Sequence, residues 1–276
     1  MTPDIPEEDI AAAVSVALRE DVGSGDRTAN LIRKDAGITA TLIAREAATL
    51  CGSAWFDEVF RQLDRSIQIN WAVQDGNCII PDQKLCILSG PARKILTGER
   101  TALNFLQTLS GTATITREFV DILKDCKTQI LDTRKTIPGL RSAQKYAVLC
   151  GGGSNHRMGL YDAILIKENH ILAAGSITTA ITAAKKQGVA IETEVENLVE
   201  LEEALAAGSD SILLDNFDLD GLRQAVAINK GRATLEASGG IDKGKLRSIA
   251  ETGVDYISIG ALTKHVRAID FSLLCR

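Results

Sequence analysis

Between Asp132 and His170 the chain carries Arg134, Lys135, Arg141, Lys145, Arg157 and Lys167 against only three acids, Asp132, Asp162 and Glu168. The chain as a whole has a net charge of −5, so this stretch inverts the sign locally. Such an inversion points to a site for a polyanion. Arg matches planar carboxylates and phosphates through paired hydrogen bonds, and Lys supplies a compact point charge. A run of solvated surface charges is the ordinary alternative. It is weakened because Lys167 follows the apolar run AILI, and Arg134 and Lys135 follow QILD. His156 and His170 fall in the same stretch. The GGG at 151–153 reads either as a flexible linker or, beside Asn155, His156 and Arg157, as a place where backbone approaches a ligand closely.

Other residues with chemistry end further apolar runs. Glu194 and Glu196 lie late in AIETEVE (190–196), and Asp215 ends SILLD (211–215). Ser238 ends TLEAS (234–238) and is followed by Gly239 and Gly240; Gly260 ends YISIG (256–260) and is followed by Ala261. Glycine-rich turns that open helices offer backbone N–H groups to phosphate. Carboxylates within a basic site are costly to desolvate unless something pairs with them. They pair with the nearby Lys and Arg, or they bind ribose hydroxyls and Mg²⁺, which prefers oxygen ligands. Spacing alone leaves those roles open.

The elements that must position these residues are legible as alternation. From residue 129 onward, short β-rich runs alternate with amphipathic segments such as NLVELEEALAAG and DKGKLRSIAETG. This pattern predicts parallel strands joined by helical crossovers, in a sheet covered on both faces. Polar residues at successive strand ends favour an α/β barrel, whose site lies at the C-terminal strand ends, over a doubly wound sheet. No GxGxxG follows the first strand. Earlier, EEDIAAAVSVALRE (7–20) has helical spacing, ITATLIAR, SIQINWAV and KLCILSG read as strands, and a helix is expected near 55–63. The segment 95–126 has a helical period and is expected to break near Ser110–Gly111. The fold class is therefore α/β: an N-terminal α+β open-sheet domain and a C-terminal parallel α/β barrel of six or seven strands, closed or incomplete. The expected domains are 1–112 and 113–276, with helix 113–126 shared and the final segment returning to the first domain.

Composition excludes several classes. Hydrophobic residues make up 45% and charged residues 24%, which is ordinary for a globular chain. The negative balance argues against nucleic-acid binding. No apolar run approaches the ~20 residues of a membrane span, and the acidic N-terminus lacks the pattern of a signal peptide. Six scattered cysteines without C-x-x-C, and three histidines, argue against zinc and are expected to be reduced thiols of a cytoplasmic enzyme.

The motifs LREDVGSGDRT (18–28), GERTALNFLQTLSGTAT (98–114), DTRKTIPGLR (132–141), GGGSNHRMGLYDAILIKENH (151–170), ETEVENLVELEEAL (192–205), LLDNF (213–217), EASGGI (236–241) and YISIGALT (256–263) resemble those of the quinolinate phosphoribosyltransferases, nearly end to end. The resemblance implies transfer of phosphoribosyl from phosphoribosyl pyrophosphate to quinolinate with loss of CO₂, giving nicotinate mononucleotide for NAD biosynthesis. It implies Arg134, His156, Arg157 and Lys167 on the quinolinate side, with Thr133 among the substrate-binding residues. Lys135 is implied on the phosphate side, although the resemblance does not divide the roles of Lys135 and Lys167. Glu194 and Asp215 are implied at the ribose and Mg²⁺, Glu194 being aligned in preference to Glu196. Ser238, Gly239, Gly240, Gly260 and Ala261 are implied at the 5′-phosphate. The catalytic set is then Lys135, Lys167, Glu194 and Asp215. The resemblance further implies a homodimer in which Arg100 enters the neighbouring subunit's site. Rival readings are a nicotinate-using phosphoribosyltransferase, a relative associated with molybdenum transport, and a non-catalytic phosphate-binding barrel. The Arg134–Lys135 and His156–Arg157 pairs, with Glu194 and Asp215, weigh against the last two.

Overall fold

The structure is a computed structural model and describes residues 5–275. In chain order its elements are α1 (Glu7–Val22), β1 (Gly37–Ala44), β2 (Ala48–Thr49), α2 (Ser53–Leu63), β3 (Gln68–Trp71), β4 (Cys78–Ile79), β5 (Lys84–Pro91), α3 (Ala92–Ile122), β6 (Gln129–Leu131), α4 (Arg141–Cys150), β7 (Ala163–Ile166), α5 (Glu168–Ala174), α6 (Ile177–Lys185), β8 (Ala190–Val195), α7 (Leu198–Ala206), β9 (Ser211–Asp215), α8 (Leu219–Asn229), β10 (Thr234–Ser238), α9 (Lys243–Ala250), β11 (Tyr256–Ser258), α10 (Ala261–Lys264) and β12 (Phe271–Cys275). They form two compact units. The first comprises 1–117, 136–152 and 262–276, and the second 118–135 and 153–261. Helix α4 and the last strand, β12, both lie in the first unit, and α3 runs from the first unit into the second.

The first unit is built on an antiparallel sheet of order β12-β1-β5-β3. Its core includes Leu42, Trp55, Phe56, Phe60, Leu88 and Leu106. The expected break at Ser110–Gly111 does not occur; α3 runs through it. Ser110 is buried and its hydroxyl serves Cys51, accepting from Cys51 N–H at 3.0 Å and donating to the Cys51 carbonyl at 3.1 Å. Gly111 is there because a Cβ would lie 2.2 Å from the carbonyl oxygen of Arg267. Its missing side chain lets another backbone cross the helix, and its cost in helix propensity is met by that packing.

The second unit carries the parallel sheet, of order β6-β11-β10-β9-β8-β7. This is the chain order of a ring opened between β6 and β7. Ser154 forms a lone parallel bridge to Leu131 on the open side of β6, so a fragment of strand stands where the ring is incomplete. Helices α6 to α9 each begin on a side-chain cap, at Ser176, Asn197, Asp218 and Asp242. Such caps contribute about 1 kcal/mol each and fix where each loop ends. Register divides the strand residues between two faces. One face holds Val195, Ile212, Leu214, Leu235, Ala237 and Ile257, all buried. The other holds Glu192 and Glu194 of β8, Ser211, Leu213 and Asp215 of β9, and Glu236 and Ser238 of β10. An apolar face and a polar face on one parallel sheet are what a barrel with a ligand at its mouth requires.

Candidate functional site

On the polar face, Lys167 continues β7 past Leu165, whose register partner is Glu192, and its ammonium pairs with the Glu194 carboxylate of β8. Glu194 is largely buried, whereas Glu196 is exposed and its backbone N–H is taken by Glu200 at 2.8 Å. The period of two places Glu194 on the site face and turns Val195 away from it. Asp215 stands at the end of β9 and accepts from the Asn216 side chain at 2.7 Å. Asn216 adopts a left-handed conformation, φ 57°, and its N–H donates to the Ser238 carbonyl at 3.0 Å. Gly239, φ 109°, passes so close that a Cβ would meet Asn216 Oδ1 at 2.1 Å, whereas a Cβ on Gly240, φ 54°, would meet nothing. The turns after β9 and β10 thus lock together, with an open approach at Gly240.

At the end of β6, Asp132 is fully buried and organises the loop from Ser154. Its carboxylate accepts His156 N–H at 2.9 Å and the Asn155 side chain at 2.6 Å. Thr133 Oγ1 accepts Lys135 N–H at 3.0 Å. The Lys135 side chain lies against Gly260, where a Cβ would fall 2.8 Å from its Cδ. Lys135, Thr133 and Gly260 therefore form one neighbourhood.

Arg157 anchors its guanidinium by donating Nη1 to the Ala163 carbonyl at 3.0 Å. Its pKa is lowered, first by burial and then by the like charge of Arg134, with Glu192 and Asp162 opposing. The like charge of Arg134 and the acids Glu192 and Asp162 thus act on Arg157 in opposite directions, within a partly desolvated setting. Asp162 serves the loop, accepting Met158 N–H at 2.6 Å and Gly159 N–H at 2.9 Å.

Two acids of the site were not singled out from sequence. Glu192 Oε2 is 2.7 Å from His156 Nε2, and its other oxygen accepts from Ser211 at 3.1 Å. Glu236 Oε2 is 3.6 Å from the same ring nitrogen, and the residue is 2% exposed. Burial and then the Glu192 charge push the Glu236 carboxyl up to about 8. The period-two series at 192 and 194, and at 236 and 238, was the signal that could have found them.

Arg141 and Lys145 lie on α4 in the first unit, and Lys145 is only 1% exposed. His170 is an exposed cap: its Nδ1 accepts Lys167 N–H at 3.0 Å at the start of α5. Arg100 belongs to the first unit, where it lines a hollow with Asp21, Asp26, Arg27 and Thr97. Among the described residues, Glu194 and Asp215 belong to no cluster of three metal-ligating groups; those clusters are His156–Glu192–Glu236 and Cys51–Asp75–Cys150. An all-oxygen pair with few protein ligands suits an ion that completes its shell with water and phosphate, as Mg²⁺ does.

Comparison with known proteins gives a consistent result. Residues 26–110 match the model of the quinolinate phosphoribosyl transferase N-terminal domain, and 112–274 that of the C-terminal domain. A probable nicotinate-nucleotide pyrophosphorylase (carboxylating) of Bacillus subtilis is 44% identical, the match covering 92% of this chain and 89% of the relative. A tobacco quinolinate phosphoribosyltransferase (decarboxylating) is 38% identical over 98% of this chain and 83% of its own. The solved nicotinate-nucleotide pyrophosphorylase of Francisella tularensis superposes with a TM-score of 0.96 at 50% identity, covering 99% of this chain and 98% of that one.

Proposed function

The chain belongs to the quinolinate phosphoribosyltransferase family, and from that premise we propose how its site carries out the decarboxylating transfer of phosphoribosyl to quinolinate. The reaction is a pentosyl transfer within NAD biosynthesis. What supports the reading of the site is the pair of cations Arg134 and Arg157, whose like charges act on each other in a partly buried setting and which a strongly anionic ligand would favour. Quinolinate supplies two adjacent carboxylates. Lys167, paired with Glu194 between the ends of β7 and β8, offers a third cation to them.

The phosphoribosyl end belongs to Thr133, Lys135, Ser238, Gly239, Gly240, Gly260 and Ala261, where glycines keep backbone N–H groups accessible to the 5′-phosphate. Glu194 and Asp215 face the ribose. As the bond from C1 to pyrophosphate stretches, C1 becomes positive, and these carboxylates favour that charge. The pyridine nitrogen of quinolinate forms the new bond to C1, and pyrophosphate leaves with the bonding pair. The ring nitrogen is then cationic. The electron pair released when the 2-carboxylate departs as CO₂ stays on C2, stabilised by the adjacent cationic nitrogen, and a proton added to C2 completes nicotinate mononucleotide. Lys167 is near enough to Glu194 to respond to both halves of the reaction. Glu194 and Asp215 would also hold Mg²⁺, which supplies charge neutralisation for the departing pyrophosphate. No covalent nucleophile is needed; positioning and charge account for the chemistry.

Arg100 is the remaining cation, and we assign it to the site of a neighbouring subunit in a homodimer. Its support is the motif GERTALN, common to the resemblance stated above. Six thiols without a disulfide suit the cytoplasm, and no helix among the described residues is long and apolar enough to cross a membrane. The deciding assay measures CO₂ and nicotinate mononucleotide from quinolinate, phosphoribosyl pyrophosphate and Mg²⁺, with nicotinate as the competing acceptor. Quinolinate should have the far higher kcat/KM. Equal values for the two acceptors would refute the dicarboxylate assignment.

A further inference from the structure

We infer that Asn216 is a positioning residue for the phosphoribosyl end of the site: its side-chain amide sets the Asp215 carboxylate and ties it to the turn after β10. The inference rests on Asp215 facing the ribose, as proposed above. Successive residues of an extended strand point to opposite faces, so Asn216 would turn away from Asp215 if β9 continued. Instead its φ of 57° folds the chain back, and Nδ2 donates to Asp215 Oδ2 at 2.7 Å. A carboxylate accepts and does not donate, so the amide nitrogen faces Asp215. The amide oxygen then faces Gly239, where a Cβ would fall 2.1 Å from it. Asp215 and Ser238 are register partners across β9 and β10, and the Asn216 N–H extends that ladder by donating to the Ser238 carbonyl at 3.0 Å. One residue thus holds the carboxylate through Nδ2, abuts Gly239 through Oδ1 and joins Ser238 through its main chain.

The last torsion of an aspartate side chain is broad, and a hydrogen bond on one oxygen narrows it. Fixing a group before the ligand arrives lowers the ordering cost of binding. Here the same residue fixes the carboxylate assigned to the ribose and the turn assigned to the 5′-phosphate, so the spacing between the two is set by one side chain. The simpler account is that Asn stands at 216 only because it tolerates a positive φ, as it often does in turns. Among the described residues, the other non-glycine positions with positive φ are Asp82 and Lys230. Asp82 lies in a turn before β5, and Lys230 caps the C-terminal end of α8. Asn216 differs from both in that its amide reaches a carboxylate of the site. The two accounts part over glycine. Gly adopts the same φ without steric cost, keeps the N–H for Ser238 and removes only the amide.

The test is calorimetric binding to the full chain, of phosphoribosyl pyrophosphate with Mg²⁺ in the absence of an acceptor and of quinolinate separately. The proteins are the wild type, Asn216→Gly, Asn216→Asp, Asp215→Ala and the double variant Asp215→Ala with Asn216→Gly. Asn216→Gly should melt close to the wild type and bind quinolinate as it does, yet bind phosphoribosyl pyrophosphate on the order of 10-fold more weakly. Asn216→Asp keeps the outline and the tolerance of positive φ but sets an acceptor against Asp215, so it should bind phosphoribosyl pyrophosphate at least as weakly as the Gly variant. In the Asp215→Ala background the Gly substitution should cost nothing further, because the amide acts through that carboxylate. Wild-type binding of phosphoribosyl pyrophosphate by Asn216→Gly or by Asn216→Asp would overturn the inference and leave Asn216 a turn residue. Equal weakening of both ligands with a lowered melting temperature would overturn it in favour of a general structural role. A further loss on the order of 10-fold in the Asp215→Ala background would show that Asn216 meets the ligand itself, which also refutes positioning. If Asp215→Ala bound phosphoribosyl pyrophosphate normally, the reading of Asp215 would fail and this inference with it. If Asp215→Ala bound it weakly and Asn216→Gly normally, this inference alone would fall.

Discussion

Replacing Glu236 by Gln should abolish a loss of stability that the wild type suffers as pH rises. Glu236 lies 2% exposed on β10 beside Glu192, and burial first and the Glu192 charge second push its carboxyl from the ordinary 4.5 up to about 8. Below pH 4.5 the folded and unfolded chains both hold the proton, and the full contribution to stability is present. Between 4.5 and about 8 the unfolded chain releases the proton while the folded chain keeps it, so the native state loses ground steadily. Above about 8 the loss is complete. A tenfold difference in proton affinity is worth about 1.4 kcal/mol, so this interval amounts to about 5 kcal/mol for a group titrating alone. Coupling of Glu236 to the charges around it makes the realised loss smaller than this. Gln has the shape of the protonated carboxyl, can donate to Glu192, and has no proton to release. Urea unfolding of both proteins at pH 5, 7 and 9 measures the effect. The two curves should coincide near pH 5 and separate toward pH 9, with the variant more stable. Equal pH dependence in the two proteins would refute the buried acid pair.

Other outcomes follow from the same geometry. Gly239→Ala should cost at least ~2 kcal/mol of stability and impair phosphoribosyl pyrophosphate binding, because of its φ of 109° and the contact with Asn216; Gly240→Ala should cost only about 1 kcal/mol, and thermal melts would rank the two. Asp215→Asn should weaken phosphoribosyl pyrophosphate binding more than quinolinate binding, as calorimetric titration of each ligand would show; selective loss of quinolinate binding would contradict its assignment. Arg100→Ala and Arg157→Ala should each be folded and inactive. Subunit exchange between them should restore up to about half the wild-type activity per heterodimer, and proven heterodimers without activity would place Arg100 outside the partner's site.

Most of the parallel sheet was legible because its strands are short apolar runs between amphipathic segments. The runs at 129–132, 163–167, 190–196, 211–215, 234–238 and 256–260 coincide with β6 to β11 within one or two residues. The cations at 134, 135 and 167 stood out because they directly follow such runs. Helix α4 did not stand out, since the face it buries includes Gln144 and Lys145 and so breaks the apolar period. Tertiary partners settle that helix: Gln144 accepts Ile137 N–H at 2.8 Å and donates to the Thr263 carbonyl at 2.9 Å. Glu192 and Glu236 were hidden for a related reason. A carboxyl inside a strand reads as a solvent-facing residue until the neighbouring strand's register is known, and register is a non-local property. Gly111 misled because glycine in a helix is equally the sign of a break and of a backbone crossing, and the crossing residue lies far along the chain.

The first unit is assembled from three separated stretches, and its sheet includes β12, which pairs along β1 from Ala40↔Cys275 to Ala44↔Phe271. On the ribosome, β1 emerges early and must wait with one edge open until β12 has been made. The strands from β7 to β11 come from one continuous stretch, each pairing with the next, so they can form locally while β1 waits. Closure of the β1–β12 ladder is therefore the long-range, entropically slow event of folding. Until it happens, an unpaired strand edge is exposed to other chains, and truncation just before Phe271 should leave that edge open permanently.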